Sequence, residues 1–134
     1  MSARSGTNNE QLAVLIKGVA EEMHEEQLGY WQFEIANISV FVITDEAHNR
    51  MRIISPVAEL ASLSKEVLQI LLEANYDRAL DARYCINGDA VWSAFLHPLR
   101  ELDDQQFLAA LEQVITLGKN FGSSYSSSGL IFGG

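Results

Sequence analysis

The chain has 134 residues, 48% of them hydrophobic and 20% charged, which is the size and composition of one globular domain and excludes a disordered or fibrous chain. Its 18 acidic residues against 9 basic ones set a formal charge of −9, and that charge repels phosphate backbones and anionic lipid, so neither nucleic acid nor membrane is expected as a direct partner. No run approaches the roughly 18 apolar residues of a membrane-spanning helix, and the single cysteine, Cys85, cannot close an internal disulfide, so a reducing, cytoplasmic location is expected.

After a small, polar lead over residues 1–8, Thr7 and Glu10 have capping-box spacing, which predicts a helix carrying Leu12, Leu15, Ile16, Val19 and Met23 on one stripe and ending near Leu28-Gly29. The period then changes to two. Trp31, Phe33 and Ile35 alternate with Gln32 and Glu34, the pattern of a half-buried strand. Ile38 to Thr44 is almost continuously apolar and suits a central strand, and Asp45 to Asn49 forms a polar turn. A third strand runs from Arg50 to Ser55, with Pro56 expected to stop its pairing because proline lacks an amide donor.

Ser64 is the expected N-cap of a second helix, with Leu68, Leu71 and Leu72 as its inner stripe and an end near Asn75. Ala82–Ile86 and Ala90–Leu96 flank Asn87-Gly88, a dipeptide that tolerates the backbone of a tight hairpin. Asp103 and Gln106 form a second capping box for a third helix, whose stripe runs through Phe107, Leu111, Val114 and Ile115 and stops near Gly122. The expected domain covers residues 9–122, and the Ser/Gly-rich segment 123–134 reads as a tail. The order is α-β-β-β-α-β-β-α, an α+β domain.

Motifs with chemical promise are few. Asp45-Glu46-Ala47-His48 copies a helicase magnesium box, but no G-x-x-x-x-G-K-[ST] loop accompanies it, so a solvated turn is the better reading. His24, His48 and His97 fall on a helix, a turn and a strand end without metal-ligand spacing. His97 reads as a packed or capping residue. Cys85 has apolar neighbours and nothing obvious to lower its pKa, which fits a buried structural thiol. No catalytic, cofactor-binding or metal-binding set of residues is expected, and the chain does not read as an enzyme.

Two surface features stand out. Arg50 and Arg52 share one strand face in an acidic protein, where they could grip a carboxylate or phosphate or pair with local acids such as Glu34. The strands are also apolar on both faces. Phe41 and Ile43 oppose Ile38, Val40 and Val42, while Val91 and Phe95 oppose Trp92, Ala94 and Leu96. Three helices can cover one face, which leaves Phe41, Ile43, Val91 and Phe95 as candidates for a dimer or partner surface.

Asn49-Arg50-Met51-Arg52-Ile53-Ile54-Ser55-Pro56-Val57, together with Ala82 to Ile86 and Trp92-Ser93-Ala94-Phe95-Leu96-His97-Pro98-Leu99, resembles the YbjN-type family of small bacterial proteins, particularly its cyanobacterial branch. The resemblance spans roughly residues 12–121. It implies the fold of type III secretion chaperones, a two-layer arrangement of a twisted antiparallel sheet with helices on one face, and it implies dimers that hold extended segments of client proteins. Some members are described as regulators of sensory transduction, which adds no catalytic residue. The expected role is a non-enzymatic, homodimeric, chaperone-like or regulatory adaptor for an unknown protein client. The alternatives are a sensor of a small anionic ligand or cryptic enzyme built on Arg50, Arg52, Arg83 or His97, and a structural subunit of a larger assembly.

Overall fold

In a computed structural model, which describes residues 7–77 and 79–121, six antiparallel strands form one sheet in the order β1-β2-β3-β4-β6-β5, with three α-helices packed on one face. The elements are α1 (Asn9–Val19), β1 (Glu22–Gln27), β2 (Tyr30–Ile35), β3 (Ile38–Asp45), β4 (Arg50–Glu59), α2 (Lys65–Asp77), β5 (Arg83–Asn87), β6 (Ala90–His97) and α3 (Asp104–Asn120). This is the expected α+β order with one additional strand. The expected tail 123–134, the helix stop at Gly122 and most of the lead lie outside the described residues.

The additional strand comes from the segment expected to complete the first helix. Asn8, not Thr7, caps α1 by accepting the Gln11 amide at 2.8 Å, and the helix buries Leu12 and Ile16 before ending at Val19. Continuing it would stack Glu21 on Glu25 and Glu22 on Glu26, like charges one turn apart that destabilise a helix. As a strand, the segment pairs with β2, sets Met23 opposite Phe33 on the core side, and leaves its glutamates exposed. A charged edge strand also resists pairing with foreign strands. The β1–β2 turn needs Gly29, whose φ is +80° and whose α-carbon has no room for a side chain, because a Cβ there would stand 2.5 Å from Thr44 Oγ1.

β4 does not stop at Pro56. A bulge between Pro56 and Ala58 absorbs the missing donor, and the strand continues beside β6 to Glu59. The β5–β6 hairpin turns on Gly88 and Asp89, one residue later than expected, with Gly88 at φ +62°. Ser64 caps α2 through the Val67 amide at 3.1 Å, and the helix buries Leu71 and Ala74 while Leu72 stays 68% exposed.

α3 supplies most of the helical core. Phe107, Ala110, Leu111, Val114, Ile115 and Leu117 are buried, packed with Trp31, Phe33, Val40, Val42, Met51 and Ile53 from the sheet. Two sheet hydroxyls fix its position: Ser93 Oγ donates to the Val114 carbonyl at 2.8 Å, and Tyr84 Oη donates to the Leu117 carbonyl at 2.7 Å. Its expected capping box is complete, with Asp103 accepting the Gln106 amide at 2.8 Å and Gln106 accepting the Asp103 amide at 3.0 Å. Asp103→Ala removes one half of that exchange and is expected to cost about 1 kcal/mol of stability in a chemical denaturation experiment.

Candidate functional site

α1, α2 and α3 cover one face of the sheet, and among the described residues no second layer lies over the other face. Strand pairing places its residues in rows. Tyr30, Ile43, Arg52 and Leu96 lie side by side across β2, β3, β4 and β6. The next row runs from His24 through Gln32, Phe41, Ile54 and Ala94 to Arg83. Glu22, Glu34 and Ser39 begin a third row on β1–β3, and at the other side of the sheet Pro56, Trp92 and Cys85 lie in line.

The centre of this face is apolar and aromatic. Tyr30, Phe41, Ile43, Ile54 and Trp92 are half-buried, and Leu96 is 50% exposed. The Phe41 ring lies 6.4 Å from Tyr30 in a tilted contact and 6.1 Å from Trp92 edge-to-face, which joins three strands through one aromatic row. Such a row on an open sheet is a surface that loses water when another layer covers it.

Of the residues expected to form a partner surface, Phe41 and Ile43 are on this face. Val91 and Phe95 are not: they are only 1% and 7% exposed and belong to the core beneath the helices. β6 is apolar on both sides, so alternation alone leaves its facing open. Pairing decides it, because β6 joins β4 with Arg52 opposite Leu96 and Ile54 opposite Ala94. Ser93 can then be buried between Val91 and Phe95, its hydroxyl bonded to α3.

Arg50 and Arg52 share the open face, as their spacing implies. Neither has a carboxylate within ion-pair distance among the described residues, and Glu34 stands two strands and two rows away from Arg52. Both line a cleft of about 690 Å³ with Ile43, Leu96, Leu28 and Asn9. The acids in that cleft are committed elsewhere. Glu46 Oε2 accepts the Asn9 amide at the start of α1 at 3.0 Å, and Asp45 holds His48 Nδ1 at 2.8 Å, a bond that pulls the Asp45 carboxyl below its ordinary pKa. The Asp45-Glu46-Ala47-His48 segment is thus an exposed turn. Asn49, at φ +55°, ties that turn to the β6–α3 loop by accepting the Arg100 amide at 2.7 Å and donating to Glu101 at 2.8 Å.

Cys85 also lies on the open face and is exposed, not a core thiol. Partial shielding of its sulfur raises its pKa, and the Arg52 charge works in the opposite direction. His97 packs its ring parallel to Phe95 at 5.6 Å, with Nδ1 2.8 Å from the Pro98 carbonyl. Among the described residues no three His, Cys, Asp or Glu side chains are grouped to hold a metal, and no helix is long and apolar enough to cross a membrane.

Two smaller apolar features border the sheet. Val14, Met23 and the 83% exposed Leu28 line a groove between α1 and β1, and Leu72 and Tyr76 project from α2 at 68% and 91% exposure. Sequence patterning pointed to neither, because β1 was read as helix and Leu72 as part of the inner stripe.

No family model and no curated protein matches the chain. Solved structures do. A chain of the ExsC–ExsE complex superposes with a TM-score of 0.63 at 12% identity, over 83% of this chain and 90% of that one. The Yersinia pestis type III secretion chaperone SycH, solved with a stable fragment of YscM2, gives 0.61 at 17% identity, over 85% and 98%. A chain of the HopA1–SchA chaperone–effector complex gives 0.58 at 11% identity, over 82% and 94%. At these identities the likeness establishes the fold, that of type III secretion chaperones.

Proposed function

We propose that this chain is a non-enzymatic protein-binding module that works as a homodimer and holds a segment of a client protein in chaperone-like fashion. The observation that carries the reading is the sheet face over which no described element packs, where an aromatic row of Tyr30, Phe41 and Trp92 is set among Ile43, Ile54 and Leu96. A sheet that leaves so much apolar side chain without a second layer is built to be covered, and protein is the partner that covers an area of this kind. The neighbours in fold were each solved with a protein bound, which supports the same reading. The net charge of −9 favours a basic client. A cytoplasmic location and a place in the YbjN-type family belong to this proposal, the latter on the stretches 49–57 and 82–99.

The test compares affinity capture from the source cytosol on the wild-type chain and on Trp92→Asp, with the retained proteins identified by mass spectrometry. One or a few proteins held through repeated washes by the wild type and lost from the variant are expected. Equal retention on both chains would remove the open face from the account. A second reading, a site for a small organic anion, is favoured by Arg50 and Arg52, which have no ion-pair partner among the described residues, in their cleft. It predicts instead a wild-type monomer that captures no protein.

A further inference from the structure

The charges on the open face are distributed in a way that selects a particular partner. Glu22 and Glu34 are direct cross-strand neighbours on β1 and β2, so two carboxylates occupy one corner. Like charges directly opposite one another in a ladder are unfavourable. Arg50 and Arg52 make a cationic corner on β4 in the same way, two positions apart on one strand. Along the strands the two corners lie on opposite sides of Phe41: Glu34 stands across from Ser39, two residues before Phe41, and Arg52 stands across from Ile43, two residues after it. All four charges are exposed, and among the described residues none has an ion-pair partner. Asp45, directly across from Arg50, gives its carboxylate to His48 instead.

We infer that the occupant of this face is a second copy of the chain, related by a two-fold axis through the neighbourhood of Phe41 that sets the Glu22/Glu34 corner of each copy against the Arg50/Arg52 corner of the other. The inference rests on the homodimer reading above and adds its surface and its orientation. A two-fold interface needs one patch that is complementary to itself. An apolar centre with opposite charges on either side of it meets that condition, since rotation brings Phe41 against its own copy and each corner against its opposite. Each symmetric contact relieves two like-charge pairs at once. An unrelated client would have to carry its own matching pair of corners around an apolar centre, whereas a second copy supplies them by symmetry. Six strands spaced about 4.8 Å apart give a face about 25 Å wide, in keeping with a dimer that buries about 800 Å² per partner.

The test is sedimentation equilibrium of the full chain, wild type and three variants: Glu34→Arg, Arg52→Glu and the two combined. All substitutions are at exposed positions, and circular dichroism confirms that each variant is folded. Each single variant is expected to weaken the dimer at least about tenfold in low salt, where the charge contacts are least screened. The combined variant, with its corners exchanged, is expected to return to within about threefold of wild type. A combined variant no tighter than the single ones would overturn the inference, as would single variants that dimerise like wild type; in both cases the homodimer reading stands and the dimer uses another surface. Single variants that stay dimeric but lose a captured protein would assign the face to a client, which also overturns it. A wild-type chain that is monomeric at every concentration would remove both this inference and the homodimer reading.

Discussion

Phe41→Asp is expected to weaken the proposed dimer at least about a hundredfold while the monomer stays folded, its thermal unfolding falling only by the stabilisation that dimerisation adds. Phe41 sits at the middle of the aromatic row, in contact with Tyr30 on one side and Trp92 on the other. Buried aromatic residues near the centre of an interface commonly contribute about 2 kcal/mol or more, and a two-fold axis counts each residue twice. Within the monomer, by contrast, Phe41 faces outward and is only half-buried, so a carboxylate there remains hydrated. Sedimentation and calorimetry on one preparation separate the two effects.

Val91→Asp has the opposite outcome. One residue before Trp92 on the same strand, Val91 is 1% exposed and packs in the core beneath the helices. A carboxylate at that position has no cationic partner in the apolar cluster around it, and burying an unpaired charge costs several kcal/mol. Since a domain of this kind is stable by only about 5–15 kcal/mol, the variant is expected to lose most of its cooperative unfolding transition. Dispersion in a proton NMR spectrum reads this directly. A well-folded Val91→Asp chain would mean that β6 presents the other face to the helices.

These two variants probe the point at which the sequence was least informative. Most of the architecture was legible from local rules: the Asp103/Gln106 capping box, the Ser64 cap, the two-residue alternation through Trp31 and Phe33, and the hairpin near Gly88 are all in place. The features that were not legible depend on contacts distant in the chain. Residues 22–27 carry a pattern that serves a helix as well as a strand, and only pairing with β2 separates the two. The facing of β6 was ambiguous because Val91 and Phe95 match Trp92 and Leu96 in apolar character. What decides it is the register with β4 together with a hydroxyl acceptor on α3 for Ser93.

The same limit governs the surface. Phe41 with Ile43, and Arg50 with Arg52, were each recognisable as sharing one face of their own strand, and pairing of β3 with β4 puts the two pairs on the same side. Tyr30, Ile54 and Trp92 join them only once the strand order β2-β3-β4-β6 is known. Glu22 and Glu34 become neighbours only when β1 exists. The acidic corner was therefore invisible in a reading that extended α1 over those residues, although the two arginines that oppose it were visible from the start.

On the reading proposed above, the open sheet face is a protein-binding surface first occupied by a second copy. Sedimentation equilibrium of the wild-type chain from micromolar to nanomolar concentration, with acrylamide quenching of Trp92 followed in the same samples, tests it most directly. A dimer that dissociates on dilution is expected, with tryptophan quenching rising as Trp92 is uncovered while Trp31, fully buried in the core, stays protected. A single ideal monomer throughout, with quenching independent of concentration, would contradict it.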